Sequence, residues 1–133
     1  MITAWLDTNV IVRFLTRDPG PLAQRADRLL SKAQNGEIAL RLTPIIVAEI
    51  VWTLRSRYAQ TPEAIARAMS AVIRSDGILA DQHDAMLEAL TVMVERRVSF
   101  PDAYVAVSAR RADGPVCSFD ADFKRLEVEI LSS

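Results

Sequence analysis

The stretch ITAWLDTN, residues 2–9, sets the character of the whole chain. Its first part, Ile2 to Leu6, predicts a short buried strand, because a brief apolar run is typical of the interior of a parallel sheet. Asp7 follows at once and predicts the start of a helix, since Asp is a favoured N-cap. A strand that passes directly into a helix is the repeating unit of an α/β protein.

The rest of the chain continues this alternation. Further strand patterns cover residues 38–42, 77–80, 116–118 and 128–131, and helical patterns fill the intervals between them. Two of the helices are predicted to open at Thr43-Pro44 and Thr61-Pro62, where proline takes the first helical position. Strands separated by helices predict a parallel sheet of about five strands with helices on both faces. Functional sites in such sheets form beyond the carboxyl ends of the strands.

Composition limits both the architecture and the function. A length of 133 residues, half of them hydrophobic, predicts one domain over residues 1–133. The formal net charge of −1 excludes a bulk polycation, and the single cysteine excludes a disulfide framework or a zinc site built from several cysteines. Residues 45–54 are too short to cross a bilayer, and no signal peptide is visible. We therefore expect a cytoplasmic protein with no membrane partner.

Four acidic positions fall where chemistry is expected. Asp7 follows the first strand, and Asp102 lies in the first turn of the helix that Pro101 opens. Asp120 follows the fourth strand pattern, and Asp122 competes with it for any functional role. Each of these aspartates has a structural alternative as a helix cap or as a charge at a helix start.

Glu49 is the hardest of the acids to explain as structure. It lies in IIVAEIVW, residues 45–52, and no basic residue stands three or four positions away to form an ion pair along the helix. The pattern predicts that this helix is deeply buried or contributes to an oligomer interface. A buried carboxylate without a partner costs several kcal/mol, on the order of the penalty known for buried ions. Burial would therefore favour a functional role for Glu49.

Taken together, these acids predict a metal site. If the four ends of the elements converge, they form a cluster of oxygen ligands that suits Mg²⁺ or Mn²⁺ better than zinc. Such an ion completes its coordination with an anionic oxygen of the substrate, and phosphate is the usual donor.

The ordered set of motifs resembles the PIN-domain ribonucleases. The residues that carry the resemblance are LDTNV (6–10), Glu49 in its apolar helix, FPDA (100–103) and SFDADF (118–123). The resemblance covers essentially the whole chain and implies a PIN-like three-layer α/β/α fold, with the first and fourth strands adjacent and Asp7 beside Asp120. The small size is similar to that of the VapC-type toxins of toxin–antitoxin pairs.

This resemblance implies specific residue roles. Asp7, Glu49, Asp102 and Asp120, with Asp122 as the alternative to Asp120, would hold Mg²⁺ or Mn²⁺ and hydrolyse RNA phosphodiester bonds. Thr8, Asn9 and Ser118 would line the site as supporting residues. A toxin of this kind would bind an RNA substrate and a cognate antitoxin protein, and the apolar helix around Trp52 together with the resemblance suggests a homodimer.

Other functions fit the sequence less well. A phosphoacceptor receiver domain needs a lysine near the end of the last strands, and the only lysines, Lys32 and Lys124, lie in helical patterns. A phosphatase with an aspartate nucleophile needs a second aspartate at position 9, which is Asn9. A PIN nuclease of RNA processing and a catalytically inactive PIN-like binding module stay open. Four arginines are candidates for phosphate contacts: Arg13, Arg17, Arg110 and Arg111.

Overall fold

A computed structural model describes residues 1–131 and shows two compact units, Met1–His83 and, among the described residues, 84–131. The first unit contains β1 (Ile2–Trp5), α1 (Thr8–Thr16), α2 (Gly20–Gln34), β2 (Ile38–Leu42), α3 (Pro44–Arg57), α4 (Pro62–Arg74) and β3 (Ile78–Ala80). After it come α5 (His83–Arg96), α6 (Phe100–Arg111) and a short 3-10 helix (Ala121–Arg125).

The sheet of the first unit is fully parallel, with β2 between β1 and β3. Ile2 lies opposite Ile38 on one side of β2, and Leu40 lies opposite Ile78 on the other. Two helices connect each strand to the next, since parallel strands need a long crossover. Helix α1 packs against α2 and α3, α2 contacts β2, and α4 contacts both α3 and β3. The predicted α/β class with a parallel sheet is confirmed.

Local sequence signals explain where the helices of this unit begin. The hydroxyl of Thr43 accepts a hydrogen bond from the Ile46 N–H at 3.4 Å, and that of Thr61 accepts one from the Ala64 N–H at 3.1 Å. Each cap satisfies one of the backbone donors that an isolated helix start leaves unpaired. The predicted openings at Thr43-Pro44 and Thr61-Pro62 are confirmed.

Gly77 fixes the approach of β3 to α2. Its φ angle is +84°, and a Cβ at this position would lie 2.2 Å from the carbonyl oxygen of Ala33. Only glycine combines this backbone conformation with such a close contact. The chain therefore turns into β3 directly against the last turn of α2.

The prediction of about five strands is wrong for the described residues, which form three. The segments 116–118 and 128–131 make a single parallel bridge, in which the Val116 N–H donates to the Glu129 carbonyl at 2.7 Å and the Leu131 N–H donates to the Val116 carbonyl at 2.8 Å. Val116 is buried, whereas Cys117 and Glu129 are exposed. With one apolar side chain buried in the first segment, little burial supports a longer ladder.

The first strand also differs from its prediction. Ile2 is 72% exposed and Trp5 is 69% exposed, so β1 is not a buried strand. The exposure of β1 follows from its position, because β1 is an edge strand of the three-stranded sheet and pairs with β2 on one side. The Trp5 ring lies under the Arg41 guanidinium, 5.3 Å from ring centroid to Cζ, and Arg41 also pairs with Asp81. These contacts let β2 carry an arginine at the centre of the sheet.

The second unit is built around the first turns of α6. Phe100 and Ala103 on this helix are buried, and α6 contacts the 3-10 helix, whose Phe123 is buried as well. The hydroxyl of Ser99 caps α6 by accepting a hydrogen bond from the Asp102 N–H at 3.2 Å. This arrangement holds the start of α6 and the start of the 3-10 helix together. Across residues 1–131, no helix has both the length and the apolar character that a membrane span requires.

Candidate metal centre

Three aspartates of the second unit converge at the start of α6 and of the 3-10 helix. Asp102, Asp120 and Asp122 each offer a carboxylate oxygen, and these three oxygens lie within 4.8 Å of one another. Asp102 and Asp122 are half-buried, and Asp120 is exposed. Carboxylates this close repel one another unless a cation or a proton lies between them.

Asp102 occupies the first turn of α6, where the helix dipole favours a negative charge. Partial burial nevertheless raises the pKa of its carboxyl group, and the charges of Asp120 and Asp122 raise it further. The hydroxyl of Ser99 opposes this shift by hydrogen bonding to the carboxylate. Asp102 therefore holds a proton more tightly than an ordinary aspartate does.

Asp120 both caps a helix and belongs to the cluster. Its Oδ1 accepts a hydrogen bond from the Asp122 N–H at 2.9 Å, which starts the 3-10 helix. Its own N–H donates to the Ser118 hydroxyl at 2.9 Å, so Ser118 positions Asp120 through the backbone. Asp120 is thus a helix cap, as the structural alternative predicts, and its carboxylate also belongs to the cluster.

Asp122 lies in the same cluster as Asp120, so the structure brings together both members of the pair that the sequence could not separate. Its Oδ1 accepts a hydrogen bond from the Arg125 guanidinium at 3.1 Å. Sequence reasoning missed Arg125, although its spacing of three residues from Asp122 on a helix is a signal for such a pair. The contact holds the orientation of the Asp122 carboxylate.

Asp7 and Thr8 lie in the first unit, at the start of α1. Asp7 has the backbone conformation of an N-cap, but its side chain makes no capping hydrogen bond. Thr8 is buried, and within residues 1–131 its Oγ1 has no hydrogen-bond partner. A buried hydroxyl without a partner costs about 1–3 kcal/mol in free energy of folding. Capping therefore does not account for the Asp7 carboxylate, and its assignment as a ligand stays a prediction.

Glu49 is exposed, so the prediction that α3 is deeply buried around it is wrong, and the alternative of an oligomer interface stays a prediction. Ile45, Glu49 and Trp52 share one face of α3, and Ile45 is 76% exposed while Trp52 is 61% exposed. A helix that is apolar on every side gives no sequence signal for which face turns inward, because its hydrophobic periodicity is weak. Glu49 is therefore not the buried carboxylate that the sequence pattern predicts. Whether Glu49 is a ligand stays a prediction.

Of the four arginines considered for phosphate contacts, three have carboxylate partners. Arg17 forms two hydrogen bonds with Asp27, at 2.6 and 2.7 Å, and both Arg110 and Arg111 pair with Glu88. Arg13 instead donates to the Asp18 carbonyl at 3.1 Å and to the Tyr58 hydroxyl at 3.4 Å. Arg13 lies in an open groove of about 300 Å³ between α1 and α2, together with Asn9 and Arg25. Arg17, Arg110 and Arg111 are thus engaged by acids within their own units.

The donor set of the aspartate cluster fits a hard divalent cation. All three donors are carboxylates, and neither histidine nor cysteine belongs to the group. Mg²⁺ and Mn²⁺ prefer oxygen donors of this kind, whereas structural zinc sites favour sulfur and nitrogen. A bound cation would also relieve the repulsion that raises the pKa of Asp102.

The sequence is similar to a known protein family. The chain matches the family model of the PIN domain over residues 4–129, nearly its whole length and across both compact units. The search among curated proteins gives no match. The family match includes every acidic residue that the sequence pattern selected.

Proposed function

This chain belongs to the PIN domain family, whose members are generally nucleases, and from that premise we propose that it is a Mg²⁺- or Mn²⁺-dependent endoribonuclease. The observation that carries the proposal is the convergence of Asp102, Asp120 and Asp122, with carboxylate oxygens within 4.8 Å of one another. We include Asp7 and Glu49 as further ligands on the strength of the resemblance. The same resemblance supports the assignment of Thr8, Asn9 and Ser118 as supporting residues and of residues 1–133 as one domain.

In this proposal, the residues of the cluster have distinct tasks. Asp102, Asp120 and Asp122 bind the cation, and Arg125 holds the Asp122 carboxylate in place through its hydrogen bond. Ser99 and Ser118 fix the backbone of Asp102 and Asp120. When bound, a divalent cation supplies Lewis-acid polarisation of the phosphodiester and compensates the charge that develops on its oxygens. Because the pKa of Asp102 is raised, protons would compete with the cation for its carboxylate, and cation binding would be weaker at low pH.

We further propose that the chain is the toxin of a type II toxin–antitoxin pair, acts in the cytoplasm, and is silenced by a cognate antitoxin protein. The small size and the ordered acidic motifs support this role through their resemblance to VapC-type toxins. The alternative within the same family is a nuclease of RNA processing. Growth of a bacterial host separates the two, because a toxin arrests growth when no antitoxin is present and a processing nuclease does not.

A homodimer forms part of the same proposal. Ile45 and Trp52 lie one turn on either side of Glu49 and expose most of their side chains. Large exposed apolar residues on one helix face are typical of a contact surface. We propose that a second copy of the chain contacts Ile45 and Trp52, and that the Glu49 carboxylate between them stays available to the cation.

An RNA cleavage assay tests the proposed activity. Purified wild-type chain is incubated with single-stranded RNA in Mg²⁺, in Mn²⁺ and in excess EDTA, beside Asp102→Asn and Asp113→Asn. Asp113 is an exposed aspartate outside the cluster, with a φ of 55° that asparagine tolerates, so it is the matched control. We expect cleavage only with metal, a loss of about 100-fold in Asp102→Asn, and wild-type rates in Asp113→Asn. Undiminished cleavage in EDTA would refute the metal mechanism.

The toxin role is tested by inducing the chain in a host that lacks any antitoxin. We expect growth arrest with the wild type and normal growth with Asp102→Asn at equal protein levels. Normal growth with an active wild-type enzyme would reject the toxin role and leave the RNA-processing nuclease.

A further inference from the structure

Phe119 is the most exposed large apolar residue of the described chain. Its relative exposure is 105%, so the whole ring is open to solvent. Burying a phenylalanine side chain is worth about 1.5–3 kcal/mol, and this residue gains none of it in the folded chain. An open aromatic face of this kind is suited to contact with another flat, apolar surface.

Phe119 is next to the aspartate cluster along the chain. Phe119 lies between Ser118 and Asp120 in the chain, and adjacent Cα atoms are only about 3.8 Å apart. The hydrogen bond from the Asp120 N–H to the Ser118 hydroxyl closes a turn around Phe119. Asp120, the next residue, is held in turn because its carboxylate accepts the Asp122 N–H at the start of the 3-10 helix. The backbone that carries the ring is thus tied to the same residues that supply the carboxylates.

The residues that flank Phe119 in the sequence indicate what kind of binding partner its ring contacts. The residues beside it in the sequence, Cys117, Ser118, Asp120 and Ala121, are small or polar, so the ring does not continue into a large apolar surface along the chain. A stable protein partner requires a contact of about 800 Å² on each side, with several apolar residues together. A single open ring next to a carboxylate cluster matches one nucleobase, because aromatic side chains stack on unpaired bases one at a time.

We propose that Phe119 stacks on an unpaired base of the RNA next to the phosphodiester that is cut. The inference rests on the proposed ribonuclease function and adds to it one residue that contacts the substrate. A base in a duplex already stacks on its neighbours and does not present a free face to the ring. Since every base has such a face, Phe119 selects for strandedness and contributes little to sequence preference.

The test measures kcat/KM for a short RNA with one mapped cleavage position, at saturating Mn²⁺. The variants are Phe119→Ala, Phe119→Leu, which keeps apolar bulk without a ring, and Phe119→Trp, which keeps a ring. We expect a loss of about tenfold in the alanine and leucine variants and near wild-type values in the tryptophan variant. Melting temperature, oligomeric state and Mn²⁺ affinity should stay unchanged, because the ring touches none of the groups that determine them.

A second substrate separates stacking from other effects. An RNA that lacks the base on one or the other side of the cut should be cleaved about tenfold more slowly by wild type, for one of the two positions. In Phe119→Ala the same deletion should cost almost nothing, since the contact is already missing.

The outcomes distinguish this proposal from the proposed function. If wild type cuts no RNA in Mn²⁺, the ribonuclease function itself fails. If wild type cuts RNA and Phe119→Ala cuts it equally well, only the stacking proposal is overturned. Equal losses from base deletion in wild type and Phe119→Ala overturn it too, as does a change in oligomeric state, which would indicate a protein contact at the ring.

Discussion

Among single residues, Asp102 shows most clearly how the fold creates a reactive group. Asp102 lies in the first turn of α6, where its N–H donates a hydrogen bond to the Ser99 hydroxyl. Partial burial and two neighbouring carboxylates raise the pKa of its side chain. The folded state thus binds a proton at Asp102 more tightly than the unfolded chain does. Stability from this group is fully present below its ordinary pKa of about 3.8 and is lost as the pH rises through the folded value.

Asp102→Asn should therefore stabilise the metal-free protein at neutral pH. The substitution removes one of three repelling charges and keeps the shape of the side chain. The expected gain is about 0.5 kcal/mol or less, because the group is only partly buried and solvent screens the repulsion. Urea unfolding in EDTA at several pH values measures it. The gain should shrink toward zero at acid pH, and a variant that is less stable than wild type at pH 7 would contradict the account.

Gly77 is the residue on which the path into β3 depends. Gly77→Ala should destabilise the fold by about 2–4 kcal/mol, because the new Cβ would meet the Ala33 carbonyl and also requires a left-handed backbone. Gly36→Ala is the matched control, since its φ is +80° and nothing lies within 4 Å of a Cβ there. The control should cost only about 1 kcal/mol from backbone strain. Equal losses in thermal or urea unfolding would show that the contact with Ala33 is unimportant.

Among the elements, helix starts could be predicted from the sequence and the orientation of α3 could not. Thr43-Pro44 and Thr61-Pro62 are local signals, so the residues that form the cap are all near one another in the chain. Helix α3 carries apolar residues on its buried side, at Val47 and Ile50, and on its exposed side, at Ile45 and Trp52. Tertiary packing determines which of these two apolar sides is buried, and the sequence alone does not show that Glu49 lies on the exposed side.

The candidate site divides in the same way. The acids at element ends could be selected from the sequence because Asp102 and Asp120 follow breaks in the periodic pattern. The nearness of Asp122 to both of them depends on the turn into the 3-10 helix, a short-range feature that hydrophobic periodicity does not encode. The strand patterns at 116–118 and 128–131 lead to a single bridge in the structure. Whether such a pattern extends into a longer ladder depends on neighbours that are far away in the sequence.

The cap of α6 has a role that the cap of α4 lacks. Ser99→Ala and Thr61→Ala should each destabilise the fold by about 1 kcal/mol through the loss of a helix cap. Only Ser99→Ala should also weaken Mn²⁺ binding at mildly acidic pH, because the Ser99 hydroxyl holds the pKa of Asp102 down. Unfolding and Mn²⁺ titrations of the pair measure the two effects. Equal Mn²⁺ affinity in both variants would reject this link.

For the molecule as a whole, the net charge and the exposed residues indicate that binding depends on short-range contacts and not on long-range electrostatic attraction. The net charge is −1, and three of the candidate arginines are paired with Asp27 or Glu88, so any long-range attraction to a polyanion such as RNA is weak. The exposed apolar residues instead indicate short-range contacts. Substrate binding and assembly would then depend on individual aromatic side chains and on the bound cation.

Trp52 should be the residue on which self-association depends. In sedimentation experiments over a range of concentrations, Trp52→Ala should raise the dimer Kd by about 30-fold, the loss of about 2 kcal/mol that is typical of a buried tryptophan at an interface. Trp5→Ala is the matched control, because Trp5 is 69% exposed on β1. It should leave the dimer intact. A monomeric wild type at micromolar concentration, or equal weakening by both variants, would reject the interface on α3.

The most direct test of the central claim is a calorimetric titration of Mn²⁺ into the metal-free protein at neutral pH. The account predicts saturable binding to wild type and to Asp113→Asn with the same affinity, and a loss of about tenfold or more in Asp102→Asn, because one ligand of the cluster has lost its charge. Equal Mn²⁺ affinity in wild type and Asp102→Asn would contradict the claim that Asp102, Asp120 and Asp122 form the metal centre.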